Sequence, residues 1–498
     1  MAQANNNNGN GLRWMILLTV IIGTFLGRLD QTIVGLGLPK IIGEFHITVS
    51  SAGWIATAYI LANAVFVPIW GKLGDTIGRK KVYILGFSIF IFGSILAGLS
   101  WNLGSLLIFR VIQAIASSAD YPTAMSIIAV TFKQGRERAQ ALGIWSSSFA
   151  AAVVFGPLIG GPLIDNFGWR SIFLINLPIG LIGILMALTF ISESLSDIKT
   201  VKFDWWGAVT LGSALSSLVL VLDKGQDWGW LSLNSFLCYL AIVIFTLIFI
   251  RIEKNQAEPI VDLKFFRNSI FVNTIINNFV VFMGMMGCVF LIPIFVQTFL
   301  GYSATQTGYL FIPMALFMVT AAPLGGSLTG KVEPRYIIFI STLVASFGIY
   351  LFSIYIDARA TAIDIIIPLS IMAFGLGFGM AQRTNVVASA VPQHEIGIAS
   401  SILALARNIA GAFGIALFGT ILDNSINAKV IRISQLSTFN GTGPLDYQKF
   451  IALITLKAQI SSYTYVFLVA ATVVFIGSFT SLFIKVKREK TDVKVMIE

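Results

Sequence analysis

The chain has 498 residues, of which 56% are hydrophobic and only 11% charged, and its mean hydropathy is +0.85. This composition argues against a soluble core and places the chain among polytopic membrane proteins. The net charge of +10, from 33 Lys+Arg against 23 Asp+Glu, falls mostly in short loops, so it sets topology and does not build a nucleic-acid surface.

Met1 to Asn10 is Asn-rich and polar and reads as a disordered tail. It has no basic segment followed by a cleavage site, so the first apolar run should be retained as a helix. A span needs about 20 apolar residues, and fourteen runs qualify. The first six are 14–36, 50–70, 82–99, 104–130, 141–164 and 169–191. After a charged link, Glu193 to Asp204, come 205–222 and 231–250. The polar stretch Arg251 to Asn268 reads as a surface helix, with Val261, Leu263, Phe265 and Phe266 against lipid or protein. The last six runs are 270–298, 307–328, 335–356, 362–388, 397–422 and 463–485. Lys133, Arg136 and Arg138 follow the fourth run, and Lys485, Lys487, Arg488 and Lys490 open the tail, so both regions are expected inside. An even count puts both termini in the cytoplasm and the polar segment Asn424 to Ser462 outside. Cys238 and Cys288 lie in apolar runs and read as buried thiols. His46 and His394 have no companions at metal-ligand spacing.

Ionisable groups inside a membrane are costly and are functional candidates by default. The first span contains Arg28 and Asp30. Asp30 shares a helical face with Gly23, Gly27, Val34 and Gly37, whereas Arg28 points elsewhere, alongside Gln31, Thr32 and Gly35. A short-range charge pair reaching for the outer interface is the alternative reading of these two. Between the second and third spans lies Gly71 to Lys81, GKLGDTIGRKK. Gly71, Gly74 and Gly78 allow tight turning. Asp75 is placed to accept backbone amides at a helix start or to pair with Arg79, and Lys72, Arg79, Lys80 and Lys81 argue for the cytoplasmic side.

The fourth span reads LIFRVIQAIASSADYP. Arg110 lies about as deep as Asp30, and a guanidinium that cannot lose its charge can hold an acid until protonation releases it. Gln113, Ser117 and Asp120 follow at helical spacing. Asp120 is open between a substrate counter-charge, a second proton site and a structural hydrogen bond. The fifth span ends FGPLIGGPL, where Gly156, Pro157, Gly160 and Gly161 combine a helix kink with close packing. In the later half Asn273 and Asn277 share a face, and Asn277 is a substrate-binding candidate with Arg28, Gln113 and Asp120. Gln297, Gln382, Arg383, Arg407 and Asn408 read as packing or interface groups, and Met283, Met285 and Met286 as core or lipid contacts.

Four of these patterns, in order and on the right helices, resemble the major facilitator superfamily, and in particular its fourteen-helix drug/proton antiporter branch. G-x-L-G-D-x-x-G-R-K-K at 71–81 is similar to the loop that latches the two halves of such transporters and lets go during the cycle. Leu29-Asp30-x-Thr32-Ile33-Val34 with Leu38-Pro39 resembles the branch's first-helix motif, whose acid acts in proton coupling or in binding cationic drugs. Arg110-x-x-Gln113 resembles the fourth-helix motif linked to proton movement, and Gly156-Pro157-x-x-Gly160-Gly161 the antiporter motif of exporters. Gly35-Leu36-Gly37 replaces the usual Asn-Val-Ala, and Arg28 is outside the motif, which leaves the substrate's charge open. Gly326-Ser-Leu328, Lys331 and Arg335 faintly repeat the 71–81 pattern, with Gly330 in place of Asp75.

The resemblance implies an all-α polytopic protein with the major facilitator fold. Its parts would be a tail at 1–13, a six-helix bundle at 14–192 and two inserted helices with linker and surface helix at 193–268. A second bundle at 269–485, carrying an external loop at 424–462, and a basic tail at 486–498 complete it. It implies proton-driven efflux of lipophilic cations across the plasma membrane by a monomer with no cofactor. Its partners are the bilayer, the small-molecule substrate and protons, with an external adaptor protein left open and no nucleic acid. Export or symport of an anionic metabolite, peptide or siderophore, with Arg28 holding the anion, is the alternative. No GxxxxGK[ST] loop and no His/Asp/Ser or metal cluster points to an ATPase or an enzyme.

Overall fold

A chain immersed in lipid must satisfy its backbone hydrogen bonds internally, and here it does so with helices. The computed structural model describes residues 2–132, 136–193, 204–256, 261, 263–328, 331–391, 396–437 and 444–484, and no strand occurs among them. In chain order the helices are α1 (Ala2–Phe45), α2 (Val49–Ile77), α3 (Arg79–Gly98), α4 (Leu103–Ser117), α5 (Asp120–Thr131), α6 (Arg136–Phe167), α7 (Ser171–Leu174) and α8 (Asn176–Phe190). There follow α9 (Trp205–Trp228), α10 (Leu233–Asn255), α11 (Ser269–Phe299), α12 (Ala304–Ser327), α13 (Pro334–Tyr355), α14 (Ala362–Ser389), α15 (Ile396–Leu436) and α16 (Pro444–Ser478). Among the described residues twelve helices are long and apolar enough to cross a membrane, and Trp206–Leu222 is a shorter apolar helix.

Several boundaries differ from the sequence reading. The Asn-rich start continues α1 from Ala2 instead of forming a disordered tail, because adding residues to an existing helix is cheaper than nucleating one. The fourth span is two helices, α4 and α5, broken at Ser118–Ala119. Pro122 explains the break, since its ring opposes the carbonyl four residues earlier, at Ser118. Pro178 does the same in the sixth span, where Ile175 separates α7 from α8. The described part of 424–462 is mostly helix, not loop: α15 runs on to Leu436 and α16 begins at Pro444. Its polarity marks where the helices leave lipid, not where they end. The expected surface helix is shorter. α10 reaches Asn255 and a 3-10 turn covers Leu263–Arg267, with Phe265 buried and Phe266 exposed. The linker 194–203, residues 257–260 and 262, Lys133, Gly330, His394 and the tail from 485 lie outside the described residues.

Gly71 to Ile77, expected as loop, belong to α2, so the turn into α3 is Gly78 alone, at φ +110°. That backbone region favours glycine. The Glu193 carboxylate fills the space beside Gly78 and accepts the amides of Lys80 (3.1 Å) and Lys81 (3.3 Å), capping α3. Lys80 Nζ donates to the Leu188 carbonyl at 2.8 Å. The side chain of Asp75 lies outside the described residues.

The packing repeats. α1 lies on α6 and α8, α2 on α4, and α3 on α4 and α8. In the same way α11 lies on α15 and α16, α12 on α14, and α13 on α14 and α16. The two sets join through the reciprocal pairs α6–α12 and α2–α15. Asp165, at the end of α6, accepts the amides of Ala304 (3.1 Å) and Thr305 (2.9 Å) and the Thr305 hydroxyl (2.6 Å). Asp423 on α15 accepts the Ser50 amide of α2 at 2.9 Å. An acid of each half therefore caps the first turn of a helix of the other. Gln297 to the Leu36 carbonyl (3.0 Å) and Thr57 to the Ala412 carbonyl (3.4 Å) add to the seam. These contacts lie from the middle of the molecule to the end opposite Arg13, Lys80 and Arg138, so the seam is closed at that far end.

Burial raises the pKa of Asp165, but the hydrogen bonds from Thr305, Ser303 and Ala304 outweigh it and bring it from 3.8 to about 2. A depressed carboxyl contributes stability that is complete above its ordinary pKa and lost as pH falls through the lowered one. Far-end closure should therefore be unchanged between pH 7 and pH 5, and Asp165→Ala should widen it. Distances between spin labels on the far ends of α6 and α12 check both statements; an unchanged distribution in Asp165→Ala would detach this carboxylate from closure.

Candidate functional site

Asp30 and Arg110 are each 1% exposed and meet between α1 and α4. Arg110 Nη1 donates to Asp30 Oδ2 at 2.6 Å and to Gln113 Oε1 at 2.6 Å. Gln113 Nε2 donates to Asp30 Oδ1 at 2.9 Å and to Ser94 Oγ of α3 at 2.5 Å. Asn176 Nδ2, at the start of α8, reaches Asp30 Oδ1 (3.1 Å) and Ser94 Oγ (3.0 Å). The guanidinium carbon of Arg110 lies 4.1 Å from the centre of the Tyr59 ring on α2 and 5.6 Å from that of Phe173. The acid therefore has three donors from three side chains, and the cation has a carboxylate, an amide and an aromatic face.

The sequence located Asp30, Arg110 and Gln113, and the structure brings all three together. It missed Ser94, Asn176 and Tyr59. Gly93, beside Ser94, was the available signal: a Cβ there would lie 3.1 Å from Gln113 Cα, so α3 approaches α4 closely at this level.

The other candidates sit elsewhere. Asp120 opens α5 and accepts the Thr24 hydroxyl at 3.1 Å; Thr24 in turn accepts Trp145 Nε1 at 2.8 Å. Arg28 donates to Gln31 Oε1 at 3.2 Å and lies within electrostatic reach of Asp120. Ser117, which lies between Gln113 and Asp120 in sequence, accepts Tyr59 Oη (2.7 Å) and Asn63 Nδ2 (3.0 Å). Gly156 and Gly160 admit Thr32 and Ile33 of α1, and Gly161 admits the backbone of Thr305. The Pro157 carbonyl abuts Gly308. The 156–161 segment is thus where α6 meets both α1 and α12. Gly74 packs near Thr123.

Asn277 is fully buried in the other half. Its Oδ1 accepts Arg383 Nε at 2.9 Å and its Nδ2 donates to the Gly477 carbonyl at 3.1 Å. Arg383 also donates to Thr342 (2.8 Å) and Ser341 (3.4 Å). Met283 and Met285 are buried core residues, as expected.

Residues 20–415 match the Major Facilitator Superfamily. The chain belongs to that superfamily. It is 32% identical to the multidrug transporter protein MdtP of Bacillus subtilis, over 82% of this chain and 75% of that protein. It is 30% identical to the riboflavin transporter RibZ of Clostridioides difficile, over 96% of this chain and 99% of that protein. Among solved structures, a bacterial homologue of the lysosomal transporter Spinster, inward-facing and occupied, superposes with a TM-score of 0.68 at 17% identity, over 95% of this chain and 98% of that one. This last likeness speaks to the fold alone. As a superfamily member the chain is a multi-pass transporter of the cell membrane.

Removing one partner of a buried pair leaves a bare charge, at a cost of roughly 3–5 kcal/mol. Arg110→Met should lose about that much stability, and adding Asp30→Asn should restore most of it. Thermal unfolding in detergent checks this; equal destabilisation by the single and double variants would mean the pair is not coupled.

Proposed function

We propose that the protein is a proton-coupled antiporter that exports small lipophilic compounds, cationic ones foremost, by alternating access. The observation that carries this reading is the buried Asp30 held by Arg110, Gln113 and Asn176. A proton on Asp30 removes one charge of the pair, and Arg110, which cannot deprotonate, then lacks its counter-charge. α1 carries Asp30 and also packs on α6 and α11, so a change at this pair reaches both halves. A proton and a bound cation would compete for the same negative region, which couples their fluxes. The pH gradient would drive export without ATP at about 1.4 kcal/mol per pH unit per proton, and the membrane potential would add about 2.3 kcal/mol per 100 mV for each net charge moved.

The architecture supporting this reading has fourteen spans. They are the twelve long apolar helices, α6 and α9, with both termini in the cytoplasm and α9–α10 inserted between two six-helix bundles. The far end is then the outside, and the structure is closed there. Gly71, Gly74, Asp75, Gly78, Arg79 and Lys80 would form the cytoplasmic latch, with Glu193 holding its turn. Relatives named as multidrug transporters support drug export. The riboflavin transporter among them and Arg28, within electrostatic reach of Asp120, favour a second reading, in which substrates need not be cations.

The test is substrate-triggered proton movement in proteoliposomes with an internal pH dye. Lipophilic cations should release protons from an acid-loaded lumen, and Asp30→Asn should abolish this while remaining folded. Unimpaired exchange in Asp30→Asn would remove Asp30 from the coupling step.

A further inference from the structure

The second half carries one buried and one half-buried arginine, Arg383 and Arg407, for which the described residues supply no acid. Arg383 on α14 is fully buried. It donates to Asn277 Oδ1, Ser341 Oγ and Thr342 Oγ1, all neutral, and its Nη1 finds no acceptor among the described residues. Arg407 on α15 donates to Asn278 Oδ1 (3.3 Å) and Thr384 Oγ1 (3.4 Å), and its guanidinium carbon lies 5.2 Å from the centre of the Phe282 ring. The two cations hold consecutive residues of α11, Asn277 and Asn278, and Arg407 also holds Thr384, the residue that follows Arg383 on α14. They lie within electrostatic reach of one another. No ion pair to either occurs among the described residues.

This contrasts with Arg110, whose charge is matched by Asp30 at 2.6 Å. Two like charges in a low-dielectric interior, each with neutral acceptors only, repel each other and go uncompensated. Such an arrangement persists when a counter-charge is supplied from outside the chain. Arg407 is the partly accessible member. It also feels Tyr121 of α5, in the opposite half, and Tyr121 is 45% exposed. Arg407 therefore looks across the seam between the halves, on the side away from the closed far end.

We propose that Arg407 is an anion-binding residue of the transport path and contacts a carboxylate or similar oxyanion on the transported molecule. Arg383 acts behind it as a positioning residue and second source of positive potential. The planar fork of Arg407 suits a carboxylate, and the Phe282 ring offers an apolar neighbour for the body of the ligand. This rests on the reading of the protein as a transporter of small lipophilic compounds and deepens it. Molecules bearing an anionic group would be held by the second half and those bearing a cationic group by the acids of the first, and zwitterions would span the two.

The experiment measures equilibrium binding to purified protein in nanodiscs of neutral phosphatidylcholine. The probes are 2-naphthoate, its neutral isostere 2-naphthamide, and a lipophilic cation. Wild type should bind naphthoate at least tenfold more tightly than naphthamide. Arg407→Gln should erase that preference while leaving the cation's affinity unchanged, and Arg407→Lys should keep part of it. Cation binding reports that each variant is folded, and its behaviour in Asp30→Asn tests the export reading separately. Equal binding of naphthoate and naphthamide by wild type would overturn the proposal. So would a preference that survives Arg407→Gln, since the anion would then sit elsewhere. If nanodiscs containing phosphatidylglycerol block naphthoate in wild type and this block requires Arg407, the counter-charge is a lipid headgroup and the substrate assignment fails.

Discussion

The Asp30–Arg110 pair is the constraint around which the first half is arranged. Taking two charges out of water costs several kcal/mol each, and their attraction repays this only with good geometry and satisfied lone pairs. The remaining partners are therefore fixed as well. Gln113 and Asn176 must donate to the carboxylate, Ser94 must take their second N–H, and Tyr59 must cover the guanidinium. These requirements bring α1, α2, α3, α4 and α8 to one level. Close approach follows from them: Gly93 lets α3 reach Gln113, and the break before α8 lets Asn176 open a helix where it can point at Asp30.

The contacts between the halves follow a different rule. The Asp30 pair is buried and held by side chains of its own half, whereas the caps at Asp165 and Asp423 join an acid to the first turn of a helix in the other half. Such bonds use donors that a helix leaves unsatisfied at its start. Water can replace them when the halves part, so breaking them costs little. A transporter that passes between two conformations needs both kinds of contact: one that stays intact within a half, and one that holds a conformation and gives way. That the two caps are related by the internal repeat, α6 to α12 and α15 to α2, means that closure at this end loads both halves alike.

The sequence disclosed the charged members of the site because charge inside an apolar run is conspicuous. Asp30, Arg110 and Gln113 could be named on that basis. Ser94 and Asn176 could not, since a lone serine or asparagine in a span is unremarkable until folding sets Asn176 against a carboxylate 146 residues away and Ser94 against the amides that hold it. Hydropathy located the lipid-facing runs and thus most helices, but not their ends. Gly71 to Ile77 and the residues beyond Asp423 are polar because they leave the membrane, and they remain helical because nothing in them stops a helix. Breaks inside spans came from Pro122 and Pro178, whose effect on the carbonyl four residues back was readable and went unread. Arg383 and Arg407 were visible as charges, but the sequence could not show that neutral residues alone would face them.

The position of α9 follows from the same seam. It packs on α2 in the first half and on α15 in the second, the pair that carries the Ser50–Asp423 cap. Leu61 of α2, Val219 of α9 and Ala412 and Ala416 of α15 form one buried cluster, and Gly212 lets α9 approach Val65. α10 by contrast is mostly exposed, with Phe236, Leu237, Leu240, Val243 and Leu247 facing outward, as a helix facing lipid should. Any rocking that parts α2 from α15 must slide at least one of them past α9. Small and β-branched side chains at that contact, Gly212, Val65 and Val219, offer a smooth surface. α9 thus covers with apolar surface the seam where α2 meets α15.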